Sequence, residues 1–270
     1  MASIRLLSTD FDGTIVGFGS NGRCSEALAE ALLDHRLSGG LWAINTGRSL
    51  LHAIQGVEQL GSPVQPDFLL TNEREIFCHG KDGEWEPYGS WNALCSERHS
   101  FLFDQASGIL SEIRNSIGSR PGVKLIFEDG LPAGLVAPDE ETMDELAVDI
   151  RQLASGLSDF SFQRNSIYMR FCHAHYDKGS ALAELCRLEG VPVSQVFAAG
   201  DHHNDLPMLR KDRAGFLACP ANAIPEVKSA VRSAGGCVAS LENGEGVAEA
   251  LCSAKKMALP EERHCVVTEE

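Results

Sequence analysis

Two carboxylates two residues apart, Asp10 and Asp12, lie in Asp10-Phe11-Asp12-Gly13-Thr14, directly behind the apolar run Ile4-Arg5-Leu6-Leu7-Ser8-Thr9. Side chains two apart on an extended chain share a face. At the exit of a buried strand, packing has no use for paired acids, because a desolvated carboxylate is costly unless a cation or ligand compensates it. A divalent cation and a phosphate group would supply that compensation. Asp and Gly are also common in ordinary strand-end turns, so the pentapeptide needs support from elsewhere in the chain.

Other segments provide it. Thr46-Gly47-Arg48-Ser49 follows the strand-like run Leu41 to Asn45, and offers a hydroxyl and a glycine amide beside a helix start. Gly200-Asp201-His202-His203-Asn204-Asp205 follows Gln195-Val196-Phe197-Ala198-Ala199, the clearest buried strand of the second half. Lys178 opens a helical stretch with Leu182, Leu185 and Leu188 on one stripe, stopped by Gly190-Val191-Pro192. Carboxylates suit a hard cation, while a hydroxyl, amides and an ammonium suit phosphate oxygens. All of these segments would sit at carboxyl ends of strands or at a helix start beside them, the edge where open parallel sheets bind ligands. Taken singly, Thr46 and Asn204 read as cap or turn residues and Lys178 as a solvated lysine; the joint pattern points to a site.

The elements that must position these residues alternate as β-α-β-α-β over the first third. Ser25 is a suitable N-cap for a helix with Leu28, Leu32 and Leu33 on one side, and Pro66 to Thr71 reads as a third strand. The segment 76–175 changes character, and predicts an inserted α/β domain between core segments 1–75 and 176–270. It opens with a hairpin, Ile76 to Cys78 against Glu84 to Glu86. It continues with a helix from Pro138 and Asp139, apolar at Met143, Leu146, Ala147 and Ile150, and with strands near Phe160 to Gln163 and Ile167 to Phe171. Further β-α pairs follow to about residue 251, and the polar last dozen residues read as a loose tail.

A formal net charge of −15 argues against nucleic acid or anionic lipid as partner, so phosphate must be held by a few placed cations. Nine scattered cysteines without a Cys-x-x-Cys pair, and an opening Met-Ala-Ser-Ile-Arg with no secretory apolar region, predict reduced thiols and a cytoplasmic protein. No apolar run approaches the roughly 18 to 20 residues of a membrane span. Cys172-His173-Ala174-His175 lacks a second ligand cluster at metal-site spacing and reads as the return to the core rather than as a zinc site. Oligomeric state is not legible.

The segments DFDGTI, INTGRS, DKGSAL and GDHHNDLPML, in that order and with an insertion between the second and third, resemble the haloacid dehalogenase-like (HAD) superfamily, and within it the type IIB or Cof-like sugar phosphatases, sucrose-phosphatase-like. The resemblance implies a Rossmann-like parallel-sheet HAD core, an α/β cap governing substrate choice, and Mg²⁺-dependent hydrolysis of small phosphate monoesters, with sugar phosphates favoured, through an aspartyl-phosphate. Asp10 is cast as nucleophile, because covalent catalysis splits a slow hydrolysis into two easier steps. Asp12 is cast as general acid and base, its proton retained through neighbouring negative charge, and its backbone carbonyl is implied as a metal ligand. Thr46, Gly47 and Asn204 would bind phosphate, Lys178 would neutralise it, and Asp10, Asp12, Asp201 and Asp205 would hold Mg²⁺. Asp205 either binds or orients the ion, and Arg48 either reaches substrate or pairs with an acid. Two features depart from the family pattern: His202-His203 in the fourth motif, where a titrating group near neutral pH is possible, and Glu73-Arg74-Glu75 after Asn72, where Asn-Gly-Ala is usual. Alternatives are a phosphomutase of the same superfamily and, from another class, a non-hydrolytic phospho-Asp signalling module.

Overall fold

Leu6 and Leu7, neighbours in the strand β1 (Leu6–Thr9), face opposite sides of one sheet, and both sides are covered by helices. The computed structural model describes residues 3–17, 22–128 and 130–258. The tail beyond residue 258 lies outside them. After β1 come α1 (Glu26–Leu37), β2 (Leu41–Asn45), α2 (Leu50–Leu60), β3 (Phe68–Thr71), β4 (Glu75–His79) and β5 (Trp85–Pro87). The middle of the chain holds α3 (Trp91–Gln105), α4 (Ser107–Glu112), β6 (Lys124–Glu128), β7 (Leu131–Val136), α5 (Glu140–Leu153), β8 (Phe160–Asn165) and β9 (Tyr168–His173). It closes with α6 (Lys178–Glu189), β10 (Val196–Ala199), β11 (Phe216–Cys219), α7 (Pro225–Ser233), β12 (Cys237–Val238) and α8 (Asn243–Ala258).

The larger sheet has the order β12-β11-β10-β1-β2-β3-β4-β5, parallel from β12 to β3 and antiparallel thereafter. Leu7, Trp42, Ile44 and Phe197 pack on one face with Leu28 and Leu32 of α1, Val57 of α2 and Leu251 of α8. Leu6, Leu70, Val196 and Ala198 pack on the other with Leu182 and Leu185 of α6 and Val227 of α7. The strand order reverses about β1 and β10, so a crevice opens beyond their carboxyl ends.

A second, antiparallel sheet, β6-β7-β9-β8, lies over α4 and α5, with a core of its own around Leu110, Met143, Leu146, Ile150 and Phe171. The hairpin expected to begin the inserted domain does not join this layer. β4 and β5 extend the larger sheet instead, because β4 turns straight back along β3 and buries Ile76 completely against the α6 side.

His35, near the end of α1, is buried, and its Nε2 lies 3.0 Å from the carbonyl oxygen of Leu41. Burial pulls its pKa down to about 4, so the ring is neutral in the folded protein near pH 7. A histidine depressed by folding contributes stability above its unfolded pKa, and that stability is lost as pH falls toward the folded value. Acidification from about 6.5 to 4 should therefore cost about 3 kcal/mol at this residue, seen as a drop in urea-unfolding free energy that His35→Gln removes. Gly40→Ala should also destabilise, because a Cβ there would fall 2.2 Å from the His35 ring.

Candidate active site

Asp10 lies one residue past β1, its backbone N–H bonded to the Ala199 carbonyl of β10 at 2.9 Å, so its position is set by the sheet itself. Lys178, the first residue of α6, is fully buried and places its Nζ 2.6 Å from Asp10 Oδ1 and 2.7 Å from Asp205 Oδ1. A lysine at a helix N-terminus opposes the helix dipole, and here adjoining carboxylates offset that cost. The helix start is fixed by Asp177, whose side chain accepts the Ser180 N–H while its own backbone N–H donates to Ser180 Oγ at 2.8 Å. Asn45, at the end of β2, donates to the Lys178 carbonyl at 3.0 Å and ties the helix start to the sheet.

The loop after β10 is closed by Asp205, whose Oδ2 accepts the N–H groups of Asp201 and His202 at 2.9 and 3.0 Å. Asp201 in turn accepts a 2.7 Å bond from Thr14. Gly13 has φ +84°, and a Cβ on it would lie 2.3 Å from Asp201 Oδ2, so only glycine lets the two loops approach.

Carboxylate oxygens of Asp10, Asp201 and Asp205 all lie within 4.8 Å of one another. Burial, and then the Asp205 charge, hold Asp10 well above the usual carboxylate range and push Asp201 up to about 7. Burial would lower Lys178, but the charges of Asp10, Asp205 and Glu73 outweigh it and hold the ammonium charged. Such a cluster of hard oxygen donors with surplus negative charge fits a divalent cation of the Mg²⁺ type.

The other expected residues converge on the same place. Thr46 is buried at the end of β2, with Gly47 and Arg48 after it, and all three line a cavity of about 800 Å³ with Asp10, Asp12, Asp201 and Asn204. Arg48 clasps Asp12 bidentately, Nε to Oδ2 at 2.7 Å and Nη2 to Oδ1 at 2.6 Å, and lies over the Phe11 ring. The charge against Asp12 is thus a guanidinium, where anionic neighbours were expected. His202 is buried and pulled down to about 4, so it does not titrate near neutral pH; its Nε2 accepts the Ser166 N–H at 3.2 Å.

Three participants escape a reading of the sequence by motifs. Glu73 enters the site from the turn after β3, where only the departure from the usual Asn-Gly-Ala marked the place. Asn222 lines the cavity and donates to the Gly13 carbonyl at 2.7 Å. The roof comes from the second sheet: Ile126 of β6, Gln163 and Asn165 of β8, Ser166, and Tyr168 and Arg170 of β9. Arg170 binds Asn72 Oδ1 at 2.7 Å, joining roof to floor.

The sequence profile of the haloacid dehalogenase-like hydrolases matches residues 127–251. A phosphoglycolate phosphatase of Methanopyrus kandleri is 41% identical over 249 residues, 90% of this chain and 94% of its own length. The chain belongs to the haloacid dehalogenase-like hydrolases. It is a phosphoric-monoester hydrolase of that type. A mannosylfructose-phosphate phosphatase of Agrobacterium fabrum is 24% identical over 85% of this chain and 88% of its own. The crystal structure of the sucrose-phosphatase from Synechocystis sp. PCC6803, in complex with sucrose and phosphate, superposes with a TM-score of 0.68 at 22% identity, covering 93% of this chain and 98% of that one. No helix among the described residues is long and apolar enough to cross a membrane.

Removal of the Lys178 charge strands several buried carboxylates. Lys178→Met should cost about 3 to 5 kcal/mol at pH 7.5, and less near pH 5, where those carboxylates can take up protons. Urea unfolding at the two pH values checks this; an equal loss at both would contradict the charge assignment.

Proposed function

We propose that the protein is a Mg²⁺-dependent phosphatase of small phosphate monoesters, sugar phosphates foremost, acting through an aspartyl-phosphate on Asp10. The observation that carries this reading is the Asp10–Lys178–Asp205 array, opening onto a cavity whose floor is charged and whose roof is hydrogen-bonding. Asp10 attacks phosphorus and the bond to the leaving alkoxide breaks. Lys178 keeps Asp10 oriented and offsets charge as the phosphoryl group arrives. Thr46 and the Gly47 amide take phosphoryl oxygens, with Asn204 beside them. Mg²⁺, held by Asp10, Asp201 and the backbone carbonyl of Asp12 with Asp205 in support, would offset the repulsion between two anions and polarise the phosphoryl oxygens.

Asp12 then gives its proton to the alkoxide and later takes one from the water that cleaves the acyl phosphate. Both of its oxygens are occupied by Arg48 in this structure, so that pair must release one oxygen before Asp12 can carry a proton.

The substrate reading rests on the roof. We infer that the segment of β6 to β9 with α4 and α5 acts as the cap. Gln163, Asn165 and Ser166 offer hydrogen bonds to hydroxyl groups, while Ile126 and Tyr168 offer an apolar wall to a sugar face. A cavity of about 800 Å³ accommodates a ligand larger than a two-carbon acid phosphate. The hydroxyl-matching side of the roof also fits the substrates named for the mannosylfructose-phosphate and sucrose relatives.

Phosphate release from an aryl phosphate and a sugar-phosphate panel, with and without Mg²⁺, tests this directly. Turnover should require the metal and fall by about 10³-fold or more in Asp10→Asn. Tyr168→Ala should raise KM for the preferred sugar phosphate about tenfold while leaving aryl phosphate turnover nearly unchanged. Activity unaffected by Asp10→Asn would overturn the nucleophile, and turnover that needs a bisphosphate activator would favour a mutase.

A further inference from the structure

Glu73 has no part in the steps above, yet it is 7% exposed and lines the cavity. Its backbone is held at φ +67°, an uncommon conformation for a residue with a Cβ, and its N–H donates to the Thr46 carbonyl at 3.2 Å. The side chain folds over the phosphate loop: a Cβ on Gly47 would lie 2.5 Å from Glu73 Oε1. Oε1 accepts a 3.1 Å bond from Asn204 Nδ2. Oε2 is buried without a hydrogen-bond partner, 4.0 Å from Lys178 Nζ, two of whose three protons are taken by Asp10 and Asp205. A buried polar atom left without a partner calls for a reason, and here it stands among Thr46, Gly47, Lys178 and Asn204, the groups assigned to phosphate.

An ionised carboxylate in that position would repel a phosphate dianion, whereas a protonated one would bring a donor to it. We propose, resting on the phosphatase reading above, that Glu73 is a further phosphate-binding residue, whose carboxyl group donates a hydrogen bond, as the neutral acid, to a phosphoryl oxygen. The groups facing it are Lys178 of α6, Asn204 and Asp205 of the loop after β10, and Arg170 of β9. Burial raises the Glu73 carboxyl above its usual range; Lys178, Asn204 and Arg170 pull it down, and Asp205 adds to the rise. An arriving phosphate acts in the same direction as Asp205. The site therefore takes phosphate together with one proton held on Glu73, and loses affinity as that proton is lost.

Competitive inhibition by inorganic phosphate, followed from about pH 5.5 to 8.5 in wild type, Glu73→Gln and Glu73→Ala, tests this, with thermal melts confirming that each variant folds. Glutamine keeps an N–H donor without a titrating charge. Its inhibition constant should match the wild type at the acid end and be about tenfold tighter at the alkaline end. Alanine, without a donor, should bind phosphate about tenfold more weakly than wild type at the acid end. A Glu73→Gln profile with the wild-type slope, or a Glu73→Ala constant equal to wild type at low pH, would overturn the role of Glu73 while leaving the phosphatase reading intact. Absence of both turnover and phosphate inhibition in the wild type would overturn that reading, and this one with it.

Discussion

One ammonium, Lys178 Nζ, lies fully buried between Asp10 and Asp205, and most of the site can be understood as what is needed to keep it there. A charge taken out of water is stable only among opposite charges and fixed dipoles. The carboxylates supply the first, but in excess: Asp201 and Glu73 stand close by, and burial with mutual repulsion raises the carboxyl groups of Asp10 and Asp201. The surplus negative charge calls for a cation, and the incoming phosphate increases that need.

The architecture supplies the positions. Asp10 leaves β1 and Asp201 leaves β10, the pair of strands about which the sheet order reverses. Lys178 is delivered by the first residue of α6, whose capping by Asp177 and Ser180 fixes where the helix begins. Gly13 allows the loops of β1 and β10 to touch. Strand ends and capped helix starts are rigid, so the charges are held in place before any ligand arrives. The roof is a separate sheet with its own core, joined to the floor through Arg170 with Asn72 and Ser166 with His202. The charged floor and the roof thus belong to different sheets.

Legibility in the sequence followed that division. The convergence of Asp10, Asp12, Thr46, Lys178, Asp201 and Asp205 on one sheet edge was readable because each follows an apolar strand or opens a helix, where local spacing dictates where a side chain goes. β2 runs from Leu41 to Asn45, as its apolar pattern predicts, and Ser25 and Asp139 cap the helices they precede. Glu73 was not legible as a site residue, because its entry into the site depends on a left-handed turn at Asn72 and Glu73 that no side-chain pattern signals. The hairpin of β4 and β5 has the same local pattern in either layer; only the burial of Ile76 beneath α6 assigns it to the larger sheet. The partner of Asp12 depended on how far Arg48 reaches, and spacing does not settle that.

By the mechanism proposed above, Asp10, held by Lys178, receives the phosphoryl group. Rapid acid quench of the enzyme during turnover of a radiolabelled phosphate ester, followed by peptide mapping, addresses it most directly. Label on the peptide containing Asp10, removed by hydroxylamine as an acyl phosphate must be, is the predicted result. Turnover with no protein-bound label, or label on another residue, would contradict it.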